Sequence, residues 1–386
     1  MIESATRQET QGTSPEASKG RLVSLDAFRG MTIAGMILVN NPGSWAHVYP
    51  PLLHAEWHGW TPTDLIFPFF LFIMGVALPI SYDRRLERGL GRGALARHGV
   101  RRSAVLFGLG VFMAAYPSFS GWDTLRIMGV LQRIGLVYLL ASLLYLWLPR
   151  RALPWIGLSL LLGYWALMTL VPVPGYGAGD LSPEGNLGAF LDRLILGQEH
   201  LWRDDPWDPE GLLSSLPAVV TALLGIAVGR WLLRSGGRDG ETLRGLLLGG
   251  ILLTVVGWAW GLVFPINKNL WTSSYVVFTG GLATLLLGAW YWLVEMKGYR
   301  RWATPFVVYG MNAIAVFVLS GLVTKTLVLV RVGGEEGISA YGWLHANLFA
   351  SWLSPENASL GFALGYVLLW LAAMWLLHRR EIFIKI

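Results

Sequence analysis

Apolar runs of membrane-spanning length alternate with short polar breaks along most of this 386-residue chain. Only 14% of the residues are charged, and the mean hydropathy is +0.50. A helix needs about 20 apolar residues to cross a bilayer, and backbone groups in lipid need partners within the protein. The sequence therefore predicts an all-α polytopic membrane protein with about ten transmembrane helices, at 25–41, 63–81, 103–117, 127–148, 154–172, 213–233, 245–264, 273–295, 304–330 and 359–377.

The polar segments divide the chain into a tail and one domain. Residues 1–20 are rich in Ser, Thr, Glu and Gln and are predicted to form a disordered cytoplasmic tail. Residues 21–386 are predicted to form a single transmembrane domain with long outer loops at 173–212 and 331–358. The first of these loops contains eight acidic residues against two arginines. Loops of this length are usually functional.

The basic residues indicate the orientation. Twenty-three of the 30 Lys and Arg residues fall in alternate breaks or at the helix ends beside them. By the positive-inside rule, both termini are cytoplasmic, and the pI of about 9.6 reflects topology rather than nucleic-acid binding. The absence of Cys excludes disulfides and thiol chemistry. Seven basic residues depart from the rule: Arg126, Arg133, Arg193, Arg203, Lys268, Lys325 and Arg331.

The first two spans and their connection hold the densest group of polar residues. Asn40, Asn41, His54 and Asp64 are predicted to converge near the outer membrane face. Polar side chains at this depth are costly unless they face a cavity or the bundle interior. Histidine titrates near neutral pH, which makes His54 the strongest candidate for a general base. The alternative is an interfacial histidine bonded to a loop carbonyl.

The other residues of this group have structural alternatives. Asn40 is a candidate oxyanion donor or a polar cap where span one ends. Asp64 follows a Thr-Pro-Thr sequence typical of a helix N-terminus, which favours a structural role. The four-residue spacing of His54 and His58 is compatible with zinc binding, but Gly59 and Pro62 interrupt a helix there. No metal is therefore predicted.

Polar clusters also mark the start of span four. Arg126, Gln132 and Arg133 lie there, and positions 126, 129, 130 and 133 are predicted to share one helical face. Buried arginines favour phosphate or carboxylate recognition. The alternative is an ion pair with Asp123 or Asp64.

Two further candidates come from later spans. The sequence Asn267-Lys268-Asn269-Leu270-Trp271 lies at the outer end of span seven, where a charge does not serve topology. Asn267, Lys268, Asn269 and Trp271 are therefore candidates for substrate contact. Asn312 is an amide inside span nine, which is typical of a helix–helix hydrogen bond, with substrate binding as the second interpretation.

Several of these motifs occur in one known family. The chain resembles the transmembrane acetyltransferases typified by heparan-α-glucosaminide N-acetyltransferase, from about residue 21 to the C-terminus. The resemblance rests on SLDAFRG (24–30), VNN…HAEWHG…TDLIFPFFLFIMG (39–75), RIMGVLQRIGLVY (126–138), DPEGLLSSLPAVVTALLGIAVG (208–229), INKNLWTSSYV (266–276), TPFVVYGMNAI (304–314) and the closing IFIKI.

The resemblance implies both an activity and a site. It implies transfer of an acetyl group from cytoplasmic acetyl-CoA to the amine of a glucosamine-like sugar outside, with His54 as general base or acetyl carrier. His54 matches the family's catalytic histidine, and Asn40 matches its active-site asparagine. The resemblance to family members also implies that the protein is a homodimer and contacts membrane lipids. The similarity to bacterial members implies that it lies in the bacterial cytoplasmic membrane.

A second class of function stays open from the sequence. A transporter or flippase for a sugar or glycan would also need about ten spans and intramembrane polar groups. Such proteins usually contain inverted repeats and broken helices. Neither feature is evident in the sequence.

Overall fold

The structure is a computed structural model that describes residues 22–119, 121–235, 238–334 and 337–384. The predicted disordered tail at 1–20 lies outside the described residues. Within the described ranges the chain is mostly helical with almost no strand, which confirms the all-α class. The only strands there form two short antiparallel hairpins, β1 (Pro172–Val173) with β2 (Gly177–Ala178), and β3 (Arg331–Val332) with β4 (Ile338–Ser339).

Thirteen α-helices occur in the described part of the chain. They are α1 (Val23–Asn40), α2 (Ile66–Glu87), α3 (Arg92–Ala115), α4 (Val130–Trp147), α5 (Leu153–Leu170), α6 (Leu187–Leu196), α7 (Ser215–Ser235), α8 (Asp239–Trp260), α9 (Ser273–Tyr291), α10 (Arg300–Met311), α11 (Ala313–Leu329), α12 (Ala340–His345) and α13 (Pro355–Arg379). Short 3₁₀ segments occur at Pro50–Leu52, Pro62–Leu65, Trp122–Thr124, Gln198–His200 and Trp202–Asp204. Single π-helical segments follow α9 and α12, at Trp292–Met296 and Ala346–Ala350.

The described helices include seven that are long and apolar enough to cross a membrane, or eight if α10 and α11 form one bent span. Each of the ten predicted spans coincides with a helix, but α1 and α3 are not among the seven. Helix α1 carries Asp26 and Arg29, and the first half of α3 carries several arginines. The structure supports a polytopic membrane protein, while the count of ten stays a prediction.

Helices α2 and α7 cross almost backbone to backbone. A β-carbon at Gly75 would lie 2.1 Å from the Ala222 carbonyl oxygen, and one at Gly225 would lie 2.1 Å from the Phe72 carbonyl oxygen. Small residues at such crossings let membrane helices approach closely and gain van der Waals contact. The largest buried cluster of apolar side chains lies around this pair and includes residues of α4 and α9.

The predicted span at 304–330 is not a continuous helix. Helices α10 and α11 meet at Asn312 and are bent by 70°. Asn312 has non-helical backbone angles (φ −121°, ψ 33°). Helix α10 packs closely on α1, since a β-carbon at Gly310 would lie 2.2 Å from the carbonyl oxygen of Asp26. The bend therefore lies level with the first turns of α1.

Contacts between helix ends group the basic segments at one end of the bundle. The backbone N–H of Ser24 donates to Glu295 (3.0 Å), so α1 begins where α9 and its π-helical extension end. Arg150 donates to Asp83 near the end of α2 (2.6 Å), and Arg230 of α7 donates to the Arg150 carbonyl (3.1 Å). The same grouping was predicted from charge. The side of the membrane on which this end lies stays a prediction.

Candidate active site

The loop between α1 and α2 folds around one buried carboxylate, that of Asp64. Its Oδ2 accepts hydrogen bonds from the backbone N–H of Ala55 (3.0 Å) and of Thr61 (3.0 Å) and from the Thr61 hydroxyl (3.2 Å). The Thr61 side chain in turn caps the 3₁₀ segment Pro62–Leu65 in a capping box. The predicted structural role of Asp64 at a helix N-terminus is therefore confirmed.

Asp64 also orients His54. His54 Nδ1 lies 2.6 Å from Asp64 Oδ1, and the His54 side chain is 50% exposed while that of Asp64 is 2% exposed. A carboxylate acceptor at Nδ1 requires the proton on that nitrogen, which leaves a lone pair on Nε2. The Tyr275 hydroxyl donates to the Asp64 carbonyl oxygen (2.5 Å) and links the loop to α9. This is the arrangement of an oriented general base with one open face.

Lys268 completes this cluster from the turn between α8 and α9. Its Nζ lies 3.2 Å from each ring nitrogen of His54 and 3.9 Å from Asp64 Oδ1. The side chain is 16% exposed. Burial lowers the pKa of Lys268, and the nearby Glu210 and Asp64 carboxylates oppose that shift. Lys268 is therefore within hydrogen-bond distance of His54 Nε2, so its N–H donor must turn from that lone pair to a developing oxyanion before Nε2 can accept a proton.

The turn between α8 and α9 also contacts His58 of the loop between α1 and α2. The fully buried Asn267 donates from Nδ2 to His58 Nδ1 (3.2 Å) and accepts from the Leu270 backbone N–H (2.9 Å). Burial lowers the pKa of His58. Asn269 lies half-buried in this turn. The two histidines therefore have different partners, Asp64 for His54 and Asn267 for His58.

The start of α4 differs from the prediction. The helix begins at Val130, and Gly129 before it is fully extended (φ −180°). Arg126 therefore precedes the helix, and the shared helical face predicted over 126–133 is wrong. The Arg126 side chain reaches the outer loop at 208–210 from this non-helical segment.

Arg126 forms the main ion pairs of this outer end. Its Nε donates to Asp208 Oδ2 (2.9 Å), and its Nη2 donates to Asp208 Oδ1 (2.7 Å) and Glu210 Oε2 (2.6 Å). The two carboxylates are almost fully buried. The ion-pair alternative is therefore confirmed in kind, with acids from the long outer loop instead of Asp123 or Asp64.

Arg133 is fully buried and also binds the outer loop. It donates to the carbonyls of Pro209 (3.0 Å) and Gly211 (2.8 Å) and to the hydroxyl of Ser214. Its guanidinium lies 5.1 Å from the ring centroid of Trp271, which is itself fully buried. Arg133 therefore connects the outer loop at 209–214 to Trp271 in the turn before α9.

The two asparagines at the end of α1 point to different surroundings. Asn41 is buried, donates to the Ile37 carbonyl (2.7 Å) and accepts from the Thr324 hydroxyl of α11 (2.6 Å). Asn40 is the last residue of α1 and is exposed. Of the four residues predicted to converge, the structure brings His54 and Asp64 together and directs Asn41 to α11.

Two further predicted site residues bind backbone groups. Gln132 is buried and donates to the Ile127 carbonyl (3.1 Å), which holds the extended segment before α4. Asn312 donates to the Ile382 carbonyl (3.2 Å) and accepts from the Ile384 N–H (2.8 Å). Its partner is therefore the C-terminal segment and not a neighbouring transmembrane helix.

A large cavity opens between α2, α3, α4 and the α10–α11 bend. Its volume is about 940 Å³, at the upper end of the range for ligand pockets. Its lining follows α2 from Phe70 to Arg85, which is about 22 Å at 1.5 Å per residue. The basic side chains of the lining are Arg29, Arg85, Arg97, His98, Arg101 and Arg102.

One cavity arginine has an unused donor. The Nε of Arg102 is buried and has no hydrogen-bond partner among the residues that the structure describes. Its guanidinium lies 4.7 Å from the ring centroid of Tyr138, whose hydroxyl is 3.1 Å from that of Tyr82. A buried N–H without a partner is unusual in a native protein and fits an anionic ligand.

The sequence analysis missed this cavity. The charge pattern predicts that the seven arginines between residues 83 and 102 set topology, and the resemblance implies that this arginine-rich side attracts the anionic nucleotide of the donor; neither indicates a cavity. Asp208 and Glu210 were also missed as partners of Arg126. The sequence around these two acids gave no indication that they contact Arg126, because the contact between Arg126 and Asp208 joins segments 82 residues apart.

Comparisons of the sequence with known proteins point to one family. A family model described as the catalytic region of heparan-alpha-glucosaminide N-acetyltransferase matches residues 21–257. The human heparan-alpha-glucosaminide N-acetyltransferase is 31% identical over 95% of this chain and 60% of its own length. The mouse protein of the same name is 33% identical over 78% of this chain and 53% of its own length. The chain thus spans a little over half the length of these curated relatives.

Proposed function

Because the chain belongs to the heparan-alpha-glucosaminide N-acetyltransferase family, we propose that it is a membrane-embedded enzyme that acetylates an amino sugar. The donor is acetyl-CoA, and the acceptor is the amine of a glucosamine-like sugar. The named relatives, the dyad of His54 with Asp64 and the basic cavity support this proposal.

The position of the cavity relative to the dyad is the observation that carries the proposal. The cavity follows α2 from its basic end to Phe70, and Asp64 lies six residues before Phe70, about 10 Å farther along the chain. The anionic nucleotide of the donor suits the arginines, including the unpaired Nε of Arg102. Its long neutral arm suits the apolar lining at Ile73 and Met74, and its thioester would then approach His54.

Direct transfer requires one base and one oxyanion donor. His54 Nε2 takes a proton from the acceptor nitrogen as that nitrogen attacks the thioester carbonyl and forms the C–N bond. Lys268 or Asn40 donates to the oxyanion of the tetrahedral intermediate. The C–S bond then breaks, and the proton on His54 passes to the leaving sulfur. Asp64 keeps Nε2 directed at the substrate throughout.

A two-step route uses the same residues. His54 Nε2 attacks the thioester, releases CoA and holds the acetyl group as an acetyl-imidazole, which the amine then attacks. Burst release of CoA before any sugar is added would identify this route. Its absence would favour direct transfer.

The proposed arrangement in the membrane follows from charge. Both termini and the basic cavity mouth face the cytoplasm, and the His54 cluster and the acidic loop at 173–212 face outward. The resemblance to bacterial members supports the cytoplasmic membrane of a bacterium and a homodimer as further proposals. The donor therefore enters from inside and the acceptor from outside.

The test compares two histidine variants of the same loop. His54→Ala removes the proposed base, and His47→Ala removes a half-exposed histidine that lies 3.7 Å from Glu356. The purified protein receives labelled acetyl-CoA and a panel of amino sugars. We expect acetylated sugar from the wild type and from His47→Ala, and a loss of about 10²–10⁴-fold in His54→Ala. Equal activity in the two variants would contradict the proposal.

One observation favours transport as a second candidate. Helices α10 and α11 are together long and apolar enough to cross a membrane but are bent by 70°, and transporters commonly build substrate sites at broken membrane helices. Sugar uptake into vesicles that needs no acetyl donor and persists in His54→Ala would support transport. Such uptake without acetylated product would replace the enzymatic proposal.

A further inference from the structure

The last described residues of the chain fold back onto the bundle. Helix α13 ends at Arg379, and Glu381 adopts left-handed backbone angles (φ 55°). The Ile382 N–H then donates to the Leu377 carbonyl (2.9 Å), which reverses the chain direction. We call residues 381–384 the C-terminal strap.

A single side chain fastens the strap to the helix bend. Both polar atoms of the Asn312 amide are used, Nδ2 toward the Ile382 carbonyl (3.2 Å) and Oδ1 toward the Ile384 N–H (2.8 Å). The Ile382 carbonyl and the Ile384 N–H would otherwise need hydrogen-bond partners on a neighbouring strand, and the Asn312 amide supplies both partners. Asn312 is 1% exposed, so it cannot leave this position without exposing buried polar groups.

The strap forms part of the cavity wall. Ile384 contributes to the lining together with Gly310, Met311, Ala313 and Ile314 of the bend. Arg29, which also lines the cavity, lies on α1 beside this bend. The strap therefore borders the basic part of the cavity and lies at the opposite end of the bundle from His54.

We propose that the C-terminal strap is a component of the donor site, with Asn312 as the positioning residue that holds it against the nucleotide end of an acyl-CoA. The inference rests on the proposed acetyl-CoA function. Ile384 provides an apolar wall, and the fixed strap narrows the mouth through which the donor enters. Donor affinity then depends on the strap, while acceptor affinity does not.

The experiment separates donor binding from general stability with a matched control. Asn312→Ala is compared with Asn186→Ala, because Asn186 is another fully buried asparagine whose amide binds backbone groups, here capping α6 in the outer loop. We measure the KM for acetyl-CoA, the KM for the sugar, and the rise in unfolding temperature on adding CoA alone. Asn312→Ala should raise the acetyl-CoA KM about tenfold and leave the sugar KM unchanged.

The control and a second variant keep the test decisive. Asn186→Ala should lower the unfolding temperature without changing the acetyl-CoA KM. Ile384→Trp adds bulk to the cavity wall and should also raise the acetyl-CoA KM, even where Asn312→Ala does not fold. Unchanged donor KM values in both strap variants of an active protein would overturn the proposal.

Failure of the proposed function gives a different result. If the wild type acetylates no amino sugar, the acetyltransferase proposal is rejected, and the CoA-dependent thermal shift still tests the strap. A shift that is present in the wild type and lost in the strap variants supports the inference. A wild type that CoA does not stabilise rejects it.

Discussion

At the scale of single residues, Asp64 performs two tasks with one carboxylate. Oδ2 fixes the loop through three donors, and Oδ1 orients His54. Folding of the loop and orientation of the base are therefore coupled. In the sequence, Asp64 therefore belongs both to the helix-start signal and to the polar cluster.

Replacement of Asp64 by Asn should reduce both activity and stability. The neutral amide oxygen would take the Oδ2 position and accept more weakly from the N–H groups of Ala55 and Thr61, while the NH₂ would donate to His54 Nδ1 and shift the ring proton to Nε2. We expect a loss of about 1–3 kcal/mol in the free energy of unfolding. His54→Ala, at a half-exposed side chain, should lose activity with little change in stability. Thermal unfolding in detergent, measured beside activity, distinguishes the two variants.

Asp192 should make stability depend on pH. Burial raises its pKa from 3.8 to about 7, while Oδ1 accepts from the Leu212 N–H (2.8 Å). Between pH 3.8 and about pH 7, Asp192 is ionised in the unfolded chain and protonated in the folded protein. The free energy of unfolding therefore falls as the pH rises, by about 1.4 kcal/mol per pH unit. Above about pH 7, Asp192 is ionised in both states and lowers the free energy of unfolding no further.

Asp192→Asn provides the measurement for this effect. The amide retains the acceptor for Leu212 and cannot ionise. We expect the variant to gain stability relative to the wild type as the pH rises from 4.5 to 7.5, in thermal unfolding scans. A constant difference between the two proteins over that range would show that Asp192 does not titrate in this interval.

At this scale the sequence predicted His54 and Asp64 because both chemistry and chain proximity pointed to them. The resemblance implies an active-site role for Asn40, but the sequence did not show that Asn40 and Asn41 face different surroundings. The buried face of α1 is set by its packing on α10 and α11, and neighbouring helical residues differ by about 100° in direction. Only the packed structure shows that Asn41 faces Thr324 and that Asn40 is exposed.

At the scale of elements, the long outer loop is attached to the bundle by two arginines. Arg126 binds the carboxylates of Asp208 and Glu210, and Arg133 binds backbone carbonyls of the same segment. The sequence indicated that these arginines do not serve topology. It did not predict their partners, because the contacts join segments about 80 residues apart and the non-helical segment before Val130 was included in the predicted helix.

Arg126→Met should destabilise the protein by about 3–5 kcal/mol, because it leaves two buried carboxylates without their cation. Adding Asp208→Asn and Glu210→Gln should recover much of this loss. Arg150→Met removes a more exposed pair with Asp83 and should cost at most about 1 kcal/mol. These losses are compared by thermal unfolding of the wild type, Arg126→Met, the triple variant and Arg150→Met. Similar losses in the two arginine variants would show that the buried cluster is not a principal attachment.

At the scale of the whole molecule, the basic segments and the His54 cluster lie at opposite ends of the bundle. The basic end holds the mouth of the cavity, and the other end holds the His54 cluster. The charge pattern of the sequence predicted which segments share an end. The cavity was not predictable, because it depends on the bend at Asn312 and on the separation of α3 from α2, which no local pattern encodes.

The native chain contains no Cys, so single cysteines can report orientation directly. Ser351→Cys places a thiol at an exposed site after α12, and Arg151→Cys places one at an exposed turn of the basic end. A membrane-impermeant maleimide should label Ser351→Cys in right-side-out vesicles and Arg151→Cys only after permeabilisation. The reverse pattern would contradict cytoplasmic termini.

The close crossing of α2 and α7 gives the cavity one stiff side and one compliant side. Backbone lies against backbone at Gly75 and Gly225, with no intervening side chains that can change rotamer to make room. The facing side consists of long side chains of α3 and of the strap, which can repack. Selection for donors with a bulkier nucleotide end should therefore yield substitutions on α3 and the strap and leave the glycines of α2 and α7 untouched.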